Sequence, residues 1–234
     1  MKNKSIMVVA GEISGDTHAA RLINQIHQRD PDIKVFGIGG DMMANEGVEL
    51  FYHTREMAVL GFTEVIARYS FFKRGLNEMV AVAKKRQPAG ILLVDYPGFN
   101  LRLAKILKKA GFKVVFYISP QVWAWNTGRI PKMAKSLDRL LAIFPFEPEL
   151  FRESGLKADF VGHPLVERID NFLENHTNTT NTDSKQIALL PGSRIHEIKR
   201  ILPVIWKAAG IIEKTMPDVN FVIAAASKEI KGMI

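Results

Sequence analysis

The stretch Ser5-Ile6-Met7-Val8-Val9-Ala10-Gly11-Glu12-Ile13-Ser14-Gly15-Asp16 decides the fold. An apolar run of strand length passes directly into a short glycine-bearing turn and then into a helical pattern. Two glycines let backbone approach a neighbour closely, and the first turn of the following helix leaves N–H groups unpaired. This is the first ligand-facing turn of a nucleotide-fold domain. It is not the phosphate loop of kinases and ATPases, because G-x-x-x-x-G-K-[ST] is missing, nor the dinucleotide fingerprint G-x-G-x-x-G with an acid ending the next strand. The next apolar run, Ile33 to Phe36, ends instead in Gly37-Ile38-Gly39-Gly40. Glu12 and Asp16 would repel a pyrophosphate, so the turn suits sugar hydroxyls better than phosphates.

Outward from this junction, apolar runs recur at Ile33 to Ile38, Gly90 to Val94, Lys113 to Ile118, Arg139 to Phe144 and Ala158 to Val161. Helical patterns separate them over Asp16 to Arg29, from about Leu60 to Lys85, Asn100 to Ala110 and Glu147 to Ser154. Strands apolar on both faces and joined through helices predict an α/β domain with a parallel sheet and right-handed crossovers. Ligands then collect at the carboxyl ends of the strands. The polar, aperiodic stretch Asn171 to Lys185 reads as a linker between a domain at 1–170 and a partial one at 186–234. Past it the pattern restarts with strand Gln186 to Leu190, a turn Pro191-Gly192-Ser193-Arg194, a helix to about Lys214 and strand Val219 to Ala225. Two strands and one helix cannot bury both faces of a sheet, so this second unit is expected to be incomplete.

Composition sets outer bounds. The chain has 234 residues, 47% of them hydrophobic and 24% charged, enough to bury a sizeable core. It has no cysteine, which excludes disulfides, zinc-thiolate sites and a cysteine nucleophile. No apolar run reaches the length of a membrane span. A net charge of +8 points to nucleic acid, an anionic membrane surface or phosphorylated substrates without choosing among them.

Chemistry-bearing residues cluster at the predicted strand ends. Asp95 closes an apolar strand, where a carboxylate among apolar neighbours gains basicity; the alternative is a turn or capping acid in Asp95-Tyr96-Pro97-Gly98-Phe99-Asn100. Ser119-Pro120-Gln121-Val122-Trp123-Ala124-Trp125 places two indoles in one loop, suited to a sugar ring, an acyl chain or a nucleobase, or else to closing a core edge. His163, in Gly162-His163-Pro164, is a proton-transfer group or a histidine satisfied by backbone at a turn. Ser193 and Arg194 at a helix start suit a phosphate. The six histidines show no metal-ligand spacing, so no metal is expected. Phe62, Val65, Ile66, Tyr69 and Phe72 form one apolar helical stripe beside Arg68, Lys73 and Arg74, which fits a core-facing helix or an interfacial one.

Six segments in order, Ala10 to Asp16, Gly39 to Met43, Asp95 to Asn100, Ser119 to Trp125, Gly162 to Leu165 and Leu189 to Arg194, resemble the lipid-A-disaccharide synthase family. The resemblance covers nearly the whole chain and implies a GT-B-like fold: an N-terminal parallel-sheet, Rossmann-like acceptor domain and the beginning of a second Rossmann-like domain for the donor. It implies inverting transfer of 2,3-diacylglucosamine from UDP to the 6-hydroxyl of 2,3-diacylglucosamine 1-phosphate. It also implies no cofactor or metal, a peripheral place on the inner face of the cytoplasmic membrane, and glycolipid rather than nucleic acid as the partner of the basic charge; a homo-oligomer is compatible with it. On this basis Asp95 and Glu12 are expected to be catalytic. Gly11, Ser14, Gly15, Asp16, Asn100, Gln121, Trp123, Trp125 and His163 are expected at the substrate, Ser193 and Arg194 at phosphate, and the Phe62-to-Phe72 stripe at acyl chains and membrane. Family members often carry a second acid where Gly98 stands, and their second domain continues well over a hundred residues past Ile234, so little transfer is expected from this chain alone. The rival readings are another GT-B enzyme, such as a UDP-N-acetylglucosamine epimerase or a lipid-linked transferase, and a glycolipid-binding piece without turnover.

Overall fold

Strands β1 (Ser5–Ala10), β2 (Lys34–Gly39), β3 (Glu49–His53), β4 (Gly90–Val94), β5 (Val114–Tyr117), β6 (Arg139–Ala142) and β7 (Ala158–Phe160) pair in parallel in the order β3-β2-β1-β4-β5-β6-β7. The structure, a computed structural model, describes residues 4–57, 69–175, 185–192, 195–225, 228–232 and 234. The chain divides into two units, Met1–Phe172 and Leu173–Ile234, and this sheet lies in the first.

The pleat explains why the strands are apolar throughout. Successive side chains alternate faces, and both faces are covered. On one side Val8, Ala10, Val35 and Val94 pack with Ala19, Ala20 and Ile23 of helix α1 (Ile13–Arg29). On the other, Met7, Val9, Ile91, Leu93 and Phe116 meet Met79 and Ala83 of the helix Tyr69–Arg86 and Leu103 and Leu107 of the helix Pro97–Lys109. Each of the larger side chains contributes about 1.5–3 kcal/mol through burial.

The parallel α/β architecture agrees with expectation, and the differences in detail have physical causes. Edge strand β3 escapes an apolar-run reading because it is only half-buried and has Glu49 and His53 at its ends. The strand expected to reach Phe144 stops at Ala142, because the N–H groups of Ile143 and Phe144 turn to the Glu147 carboxylate. The helix expected from Asn100 starts at Pro97, whose fixed φ suits a first helical position. A helix at Pro164–Asn175 continues through the first five residues of the stretch read as linker, since Phe172 extends the Leu165, Ile169 spacing.

In the second unit β8 (Gln186–Leu189) pairs in parallel with β9 (Asn220–Ile223), joined through the helix Ile195–Thr215. No described helix of the chain is long and apolar enough to cross a membrane.

One long-range interaction fixes the β1–β2 end of the sheet. Asp16 of α1 is almost fully buried; its Oδ1 accepts the N–H groups of Gly40 and Met43 at 2.7 and 3.1 Å, and its Oδ2 accepts that of Met42 at 3.1 Å. It thereby caps the short helix α2 (Asp41–Asn45) from another element. A Cβ on Gly40 would stand 2.6 Å from Asp16 Oδ2, so only glycine fits over the carboxylate. Asp16→Ala should lower unfolding free energy by about 2 kcal/mol in urea melts, and Asp16→Asn, which keeps an acceptor, by roughly half as much.

Candidate functional site

Connections from β1 run one way to β2, while β4 lies on its other side, so strand order reverses between β1 and β4 and leaves a crevice beyond their carboxyl ends. The turn Gly11–Asp16 leaves β1 there, and Asp95–Asn100 leaves β4. Asn100, with no exposed surface, clamps the two: its amide Nδ2 donates to the carbonyls of Val9 (3.2 Å), Val94 (3.3 Å) and Asp95 (2.8 Å). The Tyr96 ring lies flat on Gly11, where any Cβ would fall 2.1 Å from Tyr96 Cδ1, and the Tyr96 hydroxyl donates to the Met57 carbonyl at 3.0 Å. Gly11 therefore makes room for a ring of the protein itself rather than for a ligand.

The backbone is strained at this edge. Asp95 (φ +48°) and Tyr96 (φ +50°) after β4, and Ile118 (φ +67°) after β5, all adopt the left-handed region. For the β-branched Ile118 this is an outlier, and each such residue costs of order 1–3 kcal/mol. Three of them on two adjacent strand ends mark where the fold holds side chains against local preference, which is where binding and chemistry concentrate.

Asp95 is half-buried here. Burial pushes its carboxyl above the usual carboxylate range, and a hydrogen bond from the Tyr96 N–H pulls it partly back. Glu12, the N-cap residue of α1, and Ser14 stand exposed on the neighbouring turn. Asp16 and Asn100, expected at a substrate, are instead spent inside the protein, where each hydrogen-bonds buried backbone groups. Gly15 is buried under the helix start, against Ala10 and the Val94 carbonyl.

A second cluster follows β5, β6 and β7. The Trp123 indole N–H donates to Glu147 Oε1 at 3.2 Å, and its ring meets Phe146 edge-on with centroids 5.0 Å apart. Phe146 stacks on Phe144 at 5.7 Å, and Phe144 lies 5.7 Å from His163. His163 Nδ1 accepts the Leu165 N–H at 3.2 Å, so the turn satisfies one ring nitrogen and leaves the other side of the ring to the aromatics. Gln121 is exposed beside Trp123. The side chain of Trp125, and Ser193, Arg194, Phe62, Val65 and Ile66 altogether, lie outside the described residues. Of the remaining stripe residues Tyr69 is exposed, whereas Phe72 packs on the core and meets Phe71 edge-on at 5.6 Å, so helical phase turns it inward.

Behind His163 a cleft of about 900 Å³ opens between α1 and the helix Pro164–Asn175, lined by His18, Arg21, Tyr117, Ile143, Phe144 and Glu167 among others. Burial lowers the His18 pKa, with Arg21, His163 and Arg168 adding to the effect, and burial raises that of the Tyr117 phenol. Neither Glu147 nor His18 stands out in the sequence; the available signal was their position, Glu147 just past an expected strand end and His18 one turn into α1. Among the described residues no group of three or more histidines or acids could hold a metal ion.

A model of the family described as Lipid-A-disaccharide synthetase matches residues 6–234. The chain is 43% identical over 227 residues to the lipid-A-disaccharide synthase of Myxococcus xanthus, covering 94% of this chain and 59% of that protein. To that of Geobacter metallireducens it is 39% identical over 229 residues, covering 96% and 60%. It thus spans about three fifths of the length of these relatives. The crystal structure of UDP-GlcNAc 2-epimerase from Neisseria meningitidis bound to UDP-GlcNAc superposes with a TM-score of 0.63 over 98% of this chain and 69% of that one, at 13% identity. That likeness carries the α/β, GT-B-like fold alone.

Two outcomes follow from the strand ends. Because the folded state holds the Asp95 proton more tightly than the unfolded chain, stability falls as pH rises from the usual carboxylate range through the raised value. Asp95→Asn should therefore raise the melting temperature at neutral pH and lose that advantage at about pH 3, where both states are protonated. Gly98, in the first turn of its helix, has open space where a Cβ would stand. Gly98→Asp should fold normally and gain about 0.5–1 kcal/mol in chemical denaturation, from helix propensity and the helix dipole.

Proposed function

Since the chain belongs to the lipid-A-disaccharide synthetase family, we propose that its first unit is the acceptor side of a glycosyltransferase of lipid A biosynthesis. The whole activity is inverting transfer of 2,3-diacylglucosamine from its UDP conjugate to the 6-hydroxyl of 2,3-diacylglucosamine 1-phosphate. UDP leaves, and a β-1,6-linked disaccharide phosphate forms. The observation that carries the reading is Asp95: a half-buried carboxylate with a raised pKa, held in a strained conformation at the strand-order reversal of the sheet.

In this mechanism Asp95 takes the proton of the acceptor hydroxyl as its oxygen attacks the anomeric carbon of the donor. A raised pKa makes the carboxylate a better base. Glu12, on the adjoining turn, orients sugar hydroxyls, as do Ser14 and Gln121. Trp123 and His163 bound the acceptor sugar on the far side. Ser193 and Arg194, which the sequence pattern offers to phosphate, receive the departing diphosphate, which a hydroxyl and a guanidinium stabilise without a metal. The lipid substrates place the enzyme on the cytoplasmic face of the membrane, with the basic charge of the chain toward anionic headgroups.

The test uses 2,3-diacylglucosamine 1-phosphate in detergent micelles and the UDP-sugar conjugate. The chain should bind the acceptor, and Asp95→Asn should bind it with an unchanged Kd. Where transfer is measured as disaccharide phosphate formed, Asp95→Asn should lower it by about 10²–10⁴-fold. UDP release with free sugar but no disaccharide, or full transfer by Asp95→Asn, would overturn the proposal.

A further inference from the structure

Glu147 has no exposed surface, although it stands at the ligand-facing edge of the sheet beside the half-exposed Phe146. A carboxylate so placed is strongly disfavoured unless its oxygens are occupied by donors. Three donors meet it: the N–H groups of Ile143 and Phe144 reach Oε2 at 3.2 and 3.1 Å, and the Trp123 indole N–H reaches Oε1 at 3.2 Å. These partners come from two loops, one leaving β5 and one leaving β6. Through Phe144, which abuts His163, the same carboxylate governs the loop leaving β7.

We infer that Glu147 is a positioning residue, which locks Trp123, Phe146, Phe144 and His163 into a rigid aromatic wall that receives the sugar ring of an acylated sugar phosphate. The ligand part rests on the acceptor reading given above; the positioning part does not. A carboxylate fits the task because it is an acceptor only. A glutamine in its place would keep one acceptor oxygen and turn an NH2 group against an N–H donor. The wall suits a pyranose because indole and phenyl faces offer flat apolar area with few torsions to freeze on binding.

Indole-labelled protein tests this directly, with the Trp123 N–H resonance assigned by its loss in Trp123→Phe. Glu147→Gln should keep the far-UV circular dichroism of the wild type, yet shift the Trp123 indole and His163 imidazole resonances and speed exchange of the Trp123 indole proton. Affinity for 2,3-diacylglucosamine 1-phosphate in micelles should fall roughly tenfold. Because part of the effect of Glu147 runs through Trp123, Trp123→Phe should also weaken binding, and the double variant should lose clearly less than the product of the two single losses. An unmoved Trp123 resonance in Glu147→Gln, or fully additive losses, overturns the inference. If Glu147→Gln does not fold, Trp123→Phe leaves the backbone bonds of Glu147 intact and decides the matter: unchanged affinity refutes the wall. Absence of acceptor binding by the wild-type chain refutes the acceptor reading and the ligand part together, while the resonances still judge whether Glu147 holds the indole.

Discussion

Three carbonyls at the ends of β1 and β4 share one buried amide, that of Asn100. At a strand-order reversal the two central strands diverge in their connections and leave a crevice beyond their ends. Asn100 supplies donors to the three carbonyls from within the helix that follows β4. With β1 and β4 pinned, the Tyr96 ring settles on Gly11, the left-handed pair Asp95 and Tyr96 becomes tolerable, and the Asp95 carboxyl is held half-buried at the crevice. The main chain of the best candidate base is thus tied to β1 and β4 through one side-chain amide.

The same logic repeats along the edge of the sheet. Asp16 caps α2 from α1, and Glu147, at the end of the loop leaving β6, ties that loop to the one leaving β5. In each case a short polar side chain, buried beyond reach of water, satisfies backbone donors or acceptors that a loop would otherwise leave unpaired. The ligand-facing loops are therefore anchored from below by polar residues, while apolar packing holds the two faces of the sheet. Such anchoring holds binding groups in place before a ligand arrives, so less ordering remains to be done on binding.

Much of this was legible in the linear chain. Apolar runs of strand length broken by helical periodicity lead to a parallel α/β sheet, and the strand-glycine-helix start at Ala10 to Asp16 points to the ligand edge. Asp95, Trp123 and His163 are readable there because strand ends carry function in this architecture. Less legible were residues whose meaning depends on distant partners. Asp16 and Asn100 look like surface polar groups near a ligand, and Glu147 looks like an ordinary helix-start acid. Phe72 shares a stripe with Tyr69, yet packs against the core while Tyr69 faces solvent.

The chain by itself determined the class of fold, the edge at which ligands gather and the family, because these depend on local periodicity and on short ordered motifs. Only the tertiary structure decided which polar residues stay exposed at the strand ends and which are buried in the scaffold. Asn100 meets Val9 across 91 positions, and both the Asp16–Gly40 and Trp123–Glu147 bonds span 24. Partners so far apart are brought within hydrogen-bond range by strand order and register, and a buried carboxylate or amide takes its role from whichever groups that register sets beside it.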